Sequence, residues 1–374
     1  MPDRLPRIAI DLEKLRHINC GLGRFSLYLA RELLRLAPGR FEPVFFLPPG
    51  ADRHFPEGGF QRIVASRWRK EVVLRPLRPF IRFLPPRTPL DLWHNTNQLS
   101  KYLPLDDRVP IVLTIHDLTF LHESGNDEES GKTRRKLAGI QAKVDRASAI
   151  VTDTHYVADD VRAHLKLGDR PLHVVPLGLA GPPAPATARP AFLADGPFVL
   201  TVGNCLPHKN FHVLFDLIDH LPGRRLVIAG KKATPYGDFL GREIASRELG
   251  DRAILAGEVS DADRQWLYEH CEAFLFPSLT EGFGFPVLEA MQCGKPVFLS
   301  RETCLPEVAG DNGFYFDSFD PAAMKAAYDA GLTVQRGDPE FAERMRAHAA
   351  GYSWAKTAQG YLGVYESVLG RNSV

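Results

Sequence analysis

The chain has 374 residues and a formal net charge of +1, and 44% of its residues are hydrophobic. That length predicts two domains, and the near-zero charge gives no reason to expect binding to nucleic acid. No apolar run of about 18 residues occurs, so no transmembrane helix is predicted. The N-terminus lacks the apolar segment of a signal peptide, and the five cysteines form no C-x-x-C pair. These features predict a reduced, cytoplasmic protein without a structural zinc site.

The first half alternates predicted strands and helices. An apolar strand over Arg7–Leu12 leads to a predicted loop holding Gly21 and Gly23. Apolar residues then recur at i+4 from Phe25 to Ala37, as on one face of a helix. The further predicted strands are residues 41–47, 91–94, 110–115, 149–152 and 172–175, and the further helices are residues 133–148 and 157–167.

The second half repeats the alternation after a stretch rich in proline and alanine, which we interpret as a linker. Its predicted strands are residues 198–202, 225–229, 253–255, 273–276, 296–299 and 314–316, and a last helix covers 354–369. Strands that alternate with helices form parallel sheets with helical covers, so the fold class is α/β. In such folds the ligand binds at the carboxyl ends of the strands.

Two glutamates, Glu281 and Glu289, stand eight positions apart around a glycine-rich turn. The turn holds Gly282 and Gly284, follows an apolar strand and precedes an apolar helix with Pro286 in its first turn. A strand, glycine turn and helix in this order present backbone N–H groups to an anion. The carboxylates accept hydrogen bonds from hydroxyl groups. The pattern therefore suggests a site for a nucleotide sugar.

The glutamate pair resembles the E-x7-E motif of the retaining glycosyltransferases of family 4, also called group 1. Four other segments resemble that family in its own order: Gly21–Phe25, Thr114–Leu118, Val202–Asn210 and Cys293–Gly310. The resemblance implies the GT-B fold, in which two Rossmann-like parallel-sheet domains face a central cleft. The implied division is an acceptor-side domain at 1–180, a linker at 181–197, a nucleotide-sugar domain at 198–352 and a helix at 353–374 that crosses back to the first domain.

The resemblance also implies roles for individual residues. Glu281 and His116 would contact the donor sugar, Lys209 would pair with the diphosphate, and Glu289 would bind the ribose hydroxyls. His116, Glu281 and Lys209 are thus the implied catalytic residues. The implied donor-binding residues are Gly21, Gly23, Asn204, Lys209, Gly282, Phe283, Gly284, Phe285, Leu288 and Glu289.

The predicted phosphate loop departs from the family at one position. Asn204 stands where the family often has arginine, so we expect Lys209, at the predicted start of a helix over 210–220, to carry more of the charge. A second motif, Asp261-Ala-Asp263, has the form of a metal site. We interpret it instead as the capped, acidic first turn of a helix, and we expect neither a metal nor a cofactor.

Residues 67–87 contain seven arginines and lysines, one glutamate and several interleaved aromatic and aliphatic residues. Such a stretch suits an anionic membrane surface, which would make the protein peripheral on the inner face of the cytoplasmic membrane. Pro76 and Pro79 prevent one continuous amphipathic helix. A solvated helix and loop on the acceptor side is the other interpretation.

We predict a retaining, metal-independent hexosyltransferase that uses a nucleotide-diphosphate sugar and a saccharide or lipid-linked acceptor. The form of the phosphate loop resembles that of hexosyltransferases of bacterial surface polysaccharides and lipopolysaccharides, and it favours GDP-mannose. Three alternatives share the two-domain layout: a nucleotide-sugar epimerase, a sugar phosphorylase and a non-catalytic protein that binds sugar nucleotides.

Overall fold

The computed structural model describes residues 4–18, 20–66, 89–104, 106–122, 131–181 and 188–371. The basic stretch 67–87 lies outside these residues. The chain forms two compact units: the first comprises Met1–Leu118, Asp127–Gly178 and Ser353–Val374, and the second comprises Thr119–Asn126 and Leu179–Tyr352. Within the part described, no helix combines the length and the apolar character needed to cross a bilayer.

The first unit contains a parallel sheet with the strand order β3-β2-β1-β4-β5-β6-β7. Its strands are β1 Arg7–Asp11, β2 Glu42–Leu47, β3 Gln61–Val64, β4 Leu92–Asn95, β5 Ile111–Ile115, β6 Ala149–Thr152 and β7 Leu172–Val174. Its first helices are α1 Gly21–Leu36, α2 Gly131–Val144 and α3 His155–His164. β5 is buried along its whole length, as expected of a central strand with both faces covered.

The prediction of a glycine loop before α1 is wrong, because Gly21 and Gly23 lie in the first turn of that helix. A 3-10 helix over Glu13–His17 forms the connection from β1 instead. A Cβ atom at Gly23 would lie 2.2 Å from the carbonyl oxygen of His17. Glycine at 23 thus allows α1 to pack directly against the backbone of the connection.

The second unit contains a parallel sheet with the strand order β10-β9-β8-β11-β12-β13. Its strands are β8 Phe198–Val202, β9 Arg225–Ala229, β10 Ala253–Gly257, β11 Ala273–Phe276, β12 Val297–Ser300 and β13 Phe314–Phe316. Its helices are α4 Val213–Asp219, α5 Pro235–Ser246, α6 Asp261–His270, α7 Phe285–Gln292, α8 Leu305–Ala309, α9 Pro321–Gly337 and α10 Phe341–Ala350. The two parallel sheets confirm the predicted α/β class.

The last helix, α11 (Trp354–Arg371), belongs to the first unit and is joined to it by buried polar contacts. The hydroxyl of Tyr361 lies 2.9 Å from Oγ1 of Thr114, and that of Tyr365 lies 2.7 Å from Nδ1 of His94. Nε2 of His94 lies 2.8 Å from the same Thr114 hydroxyl. Burial lowers the pKa of His94 to about 3, so this network holds a neutral imidazole.

Candidate functional site

The second sheet has a topological switch point between β8 and β11. From β8 the chain proceeds outward to β9 and β10, and it then returns to add β11 on the opposite side of β8. The loops that leave the carboxyl ends of β8 and β11 therefore diverge and open a crevice, which is where open α/β sheets bind ligands. Lys209 lies on the first of these loops and Glu281 on the second.

Lys209 and Glu281 form an ion pair at this switch point. Nζ of Lys209 lies 2.5 Å from Oε1 of Glu281, and each side chain is 13% exposed. The ammonium group also lies 5.0 Å from the ring centroid of Phe276, the last residue of β11. Both charges are thus partly removed from water, which strengthens their interaction with each other and with any ion that enters.

The loop after β8 differs from the predicted helix start. Lys209 ends a 3-10 turn over Pro207–Lys209, and Asn210 has a left-handed φ of 55°. Helix α4 begins only at Val213. Asparagine tolerates the left-handed region better than most residues do. The turn lets the carbonyl of His208 accept the N–H of Leu279 at 2.7 Å, which joins this loop to the one after β11.

The glycine turn leads into α7 as predicted. Gly284 is the N-cap of that helix with φ 99°, and Pro286 occupies its first turn. Phe283 is buried, and its ring centroid lies 5.0 Å from that of Phe285. Leu288 is buried in the core of the unit. These side chains hold the turn in place, while Gly282 stands beside Glu281 in the crevice loop.

Glu289 lies in the second turn of α7 and is held by a residue that the sequence did not single out. Its Oε2 accepts a hydrogen bond of 2.8 Å from the hydroxyl of Tyr268 on α6. Burial raises the pKa of Tyr268 well above its usual value, and the neighbouring Glu289 carboxylate raises it further. Tyr268 is therefore a permanent donor that orients this carboxylate.

The loop after β12 also contacts Glu281. Oγ1 of Thr303 accepts the backbone N–H of Glu281 at 3.1 Å, and the thiol of Cys304 donates to the Glu281 carbonyl at 3.3 Å. Thr303 has φ 54°. None of these contacts follows from a sequence pattern, because the two loops are separated by a helix and a strand.

Asn204 is exposed in a loop whose backbone is tied to the loop after β9. The N–H of Cys205 donates to the carbonyl of Lys231 at 2.9 Å. Gly230 has φ 142°, and a Cβ atom there would lie 2.1 Å from the carbonyl oxygen of Gly203. The two loops therefore pack backbone against backbone beside the crevice, with the Asn204 side chain facing solvent.

The Asp261-Ala-Asp263 motif forms a capped helix start, as predicted. Ser260 is the N-cap of α6, and its hydroxyl accepts the N–H of Asp263 at 3.0 Å. Asp261 pairs with Arg264 one turn later, at 3.0 Å. Across the described ranges, no group of three or more His, Cys, Asp or Glu side chains is placed to hold a metal ion.

His116 follows β5 in the first unit, where it is buried against an acid. Its Nδ1 lies 2.6 Å from Oδ2 of Asp153, and its Nε2 lies 2.9 Å from the carbonyl oxygen of Thr96. Both ring nitrogens face acceptors, which favours the doubly protonated ring. Burial lowers the pKa of His116, but the charge and hydrogen bond of Asp153 outweigh burial, and the net pKa is raised. Asp153 is another residue that the sequence did not reveal.

Asp11 occupies the corresponding switch point of the first sheet, between β1 and β4. It is fully buried, and it accepts hydrogen bonds from the Ser100 hydroxyl and from the N–H of Glu13. Its backbone carbonyl accepts the hydroxyl of Thr96. Burial raises the pKa of Asp11 to about 7 in spite of these hydrogen bonds.

The structure therefore divides the predicted site residues between the two units. The second unit contains Asn204 and Lys209, the turn over 282–285, Leu288 and Glu289, with Lys209 and Glu281 in direct contact. The first unit contains Gly21, Gly23 and His116.

Known proteins match both units. The family model "Glycosyltransferase Family 4" matches residues 20–180, and "Glycosyl transferases group 1" matches residues 187–351. The serotype-specific mannosyltransferase WbdA of Escherichia coli is 34% identical over 171 residues, which are 43% of this chain and 20% of that protein. The matched part thus spans about a fifth of the length of that relative. The O-antigen chain mannosyltransferase B of Escherichia coli is 29% identical over 68% of this chain and 70% of its own length.

A solved structure shows the same fold over almost the whole chain. Sucrose-phosphate synthase from Thermosynechococcus elongatus has a TM-score of 0.72 at 17% identity, and the match covers 98% of this chain and 100% of that one. The two sheets and this likeness agree with the GT-B fold. With two family models that together account for residues 20–180 and 187–351, the chain belongs to glycosyltransferase family 4, the group 1 glycosyl transferases.

Proposed function

We propose that this protein is a retaining hexosyltransferase that works without a metal ion or a cofactor. It moves a hexose from a nucleotide-diphosphate sugar to a saccharide or lipid-linked acceptor in the synthesis of bacterial surface polysaccharide or lipopolysaccharide. The observation that carries the proposal is the Lys209–Glu281 ion pair at the switch point of the second sheet.

The pair has the charges that a sugar diphosphate requires. When the bond between sugar and diphosphate breaks, negative charge grows on the leaving phosphate, and a fixed cation lowers the energy of that state. Lys209 supplies the cation, and the N-terminus of α7 adds backbone N–H groups. Glu281 is an acceptor for sugar hydroxyls. In the donor complex, Lys209 exchanges part of its interaction with Glu281 for the phosphate.

Glu289 fits a ribose. An ionised carboxylate accepts two hydroxyl groups, and Tyr268 fixes its orientation from the other side. We propose that the diphosphate leaves and that the acceptor hydroxyl attacks from the same face, which retains the configuration. We assign no residue as a covalent nucleophile.

GDP-mannose is the donor we propose. The names of the relatives support the sugar, since WbdA and O-antigen chain mannosyltransferase B are both mannosyltransferases. A structural neighbour, HepE from Anabaena, was solved with UDP-glucose, which supports a nucleotide sugar in general. The choice of base and hexose is open to direct measurement.

The test combines a donor panel with two substitutions. Thermal-shift measurements with GDP-mannose, UDP-glucose and other nucleotide sugars identify the donor, because a ligand that binds only the folded state raises the apparent Tm. Transfer is then measured with that donor and saccharide acceptors. Lys209→Ala and Glu281→Ala should each lower turnover by about 100-fold or more. Glu289→Ala should mainly weaken donor binding.

Lys325→Ala is the matched control. It removes a partly exposed lysine of α9 that pairs with Asp329 one turn later. Lys325 lies beside Arg224, which precedes β9 at the amino end of that strand, so the change should leave turnover unchanged. Near-normal turnover in both Lys209→Ala and Glu281→Ala would overturn the proposal. Conversion of the donor without an acceptor, followed by NMR, would identify an epimerase instead, and dependence on inorganic phosphate would identify a phosphorylase.

We also propose that residues 67–87 contact an anionic membrane surface. The support is their composition, with seven basic residues against one acid and interleaved aromatic residues. Co-sedimentation with vesicles that contain anionic lipid at low salt is the measurement, and vesicles of neutral lipid are the control. Absence of binding to both would remove this proposal without affecting the proposed reaction.

A further inference from the structure

We propose that Thr303 is a positioning residue that sets the location of Glu281 against the transferred sugar. The inference rests on the proposed function, because it assigns Glu281 to the sugar. Thr303 lies in the loop after β12 and accepts the backbone N–H of Glu281. Its effect passes through the backbone of Glu281.

The first observation is the backbone conformation of Thr303. Within the described ranges, three non-glycine residues have a positive φ: Asn210, Glu248 and Thr303. Asparagine adopts the left-handed region with little difficulty, whereas a β-branched residue is crowded there. A strained conformation persists only when the surrounding contacts fix it, and such conformations cluster at functional sites.

The second observation is the pair of hydrogen bonds that this conformation allows to the backbone of Glu281. It turns the Thr303 hydroxyl towards the Glu281 N–H, which it accepts at 3.1 Å, while the next residue, Cys304, donates its thiol to the Glu281 carbonyl at 3.3 Å. The backbone groups on both sides of Glu281 are thus held by two successive residues of one loop. Ser300, where that loop begins, donates to the carbonyl of Ser278 at 2.5 Å.

The third observation is the position of the Glu281 side chain. It is 13% exposed, and its carboxylate is fixed at one end by Lys209. When Lys209 pairs with a phosphate, the hydrogen bonds from Thr303 and Cys304 to the Glu281 backbone still hold that residue in place. A displacement of about 1 Å at a reacting centre can lower a rate by roughly 100-fold. Loss of the Thr303 hydroxyl should therefore lower turnover more than it lowers the stability of the folded state.

Three substitutions separate positioning from simple support of the fold. Thr303→Ser keeps the hydroxyl, Thr303→Val keeps the branched shape without it, and Thr303→Gly relieves the backbone strain without it. We expect Ser to stay within about threefold of wild-type kcat, and Val and Gly to lose about tenfold or more. Binding of the nucleoside diphosphate alone should stay unchanged in all three, because Lys209 and Glu289 remain.

Thermal unfolding provides the readout that a structural role would move. Thr303→Gly should keep a Tm within about 4 °C of wild type, since the relieved strain offsets the lost hydrogen bond and the added freedom of the unfolded chain. Glu248→Gly is the matched control, because it relieves a left-handed φ of 55° at an exposed position after α5. It should leave kcat unchanged.

The outcomes are distinct. Wild-type kcat in both Thr303→Val and Thr303→Gly would overturn the inference and leave the proposed function intact. The inference would also be overturned if kcat fell only in variants whose Tm fell as well, and if Thr303→Ser did not keep a kcat near that of the wild type. A wild-type protein that transfers no sugar from any donor in the panel would overturn the proposed function, and this inference with it.

Discussion

At the scale of the residue, sequence patterns identified the charged groups of the second unit but not the partners that orient them. Glu281 and Lys209 belong to loops with recognisable glycine, proline and lysine spacing. Tyr268, Thr303 and Asp153 carry no local signal, because each acts on a residue that is distant in the sequence. The Lys209–Glu281 contact itself depends on the pairing of β8 with β11 in the sheet. The order of the strands along the chain does not reveal that pairing.

Tyr268 provides a residue-scale prediction. Tyr268→Phe removes the hydrogen bond of 2.8 Å to Glu289 and leaves the ring in place. A hydrogen bond to a charged group contributes about 1.5–3 kcal/mol, so a loosened carboxylate should weaken the binding of the nucleoside diphosphate by about tenfold. Isothermal titration calorimetry measures the change in Kd.

Tyr328→Phe is the control for this prediction. Tyr328 donates the same type of hydrogen bond to Glu272, at 3.1 Å, in the same unit. Glu272 precedes β11 and thus lies at the amino end of the strand, opposite the crevice loops. Equal loss of affinity in both variants would show that Tyr268 acts through general stability and would contradict its role in orienting Glu289.

At the scale of the element, most strands were predictable, whereas the starts of α1 and α4 were not. β8, β9, β11 and β13 have the predicted bounds, because buried parallel strands are short apolar runs that loops interrupt. β3 (Gln61–Val64) was missed, because this edge strand is mostly exposed and lacks such a run. α1 begins earlier than predicted, since glycine indicates a turn whether or not a helix includes it. α4 begins later than predicted, since Asn210 has a left-handed φ of 55° at the end of the 3-10 turn.

The start of α1 leads to a prediction about two glycines. A Cβ atom at Gly23 would lie 2.2 Å from the carbonyl oxygen of His17, whereas one at Gly21 would meet nothing within 4 Å. Gly23→Ala should therefore destabilise the protein by about 1–3 kcal/mol through overpacking. Gly21→Ala should stabilise it by up to about 1 kcal/mol, because alanine suits a helix better.

Urea unfolding of the two alanine variants measures both free energies side by side. The substitutions are the same in chemistry and two residues apart, so the difference between them reports the packing of α1 on the 3-10 helix over Glu13–His17. If Gly23→Ala were as stable as Gly21→Ala, α1 would not lie against that connection as described.

At the scale of the whole molecule, the two units use their switch points differently. The second unit presents a partly exposed ion pair there, which suits a charged ligand. The first unit buries Asp11, and burial outweighs the hydrogen bonds from Ser100 and Glu13 and the charge of Lys14, so the pKa is raised to about 7. The free energy of unfolding should therefore depend on pH over the range in which Asp11 titrates.

The sign of the resulting pH dependence follows from linkage. In the unfolded chain Asp11 titrates near pH 4, so between about pH 4 and pH 7 the folded state binds the extra proton. The contribution of this group to stability is therefore complete below about pH 4 and declines as the pH rises to about 7. The decline should reach about 1.4 kcal/mol per pH unit at most.

Asp11→Asn removes this titration while it keeps the shape of the side chain. Relative to Asp11→Asn, the free energy of unfolding of the wild type should fall between about pH 4.5 and pH 7 and stay level above that range. Urea unfolding at half-unit steps of pH gives the difference.

Asp106→Asn is a control of opposite sign, because the hydrogen bond from Arg108 lowers the pKa of Asp106. Its contribution should be lost only as the pH falls below about 4. A wild-type curve parallel to that of Asp11→Asn over the whole range would show that Asp11 is charged in the folded protein, and the polar contacts from Ser100 and Glu13 would then outweigh its burial.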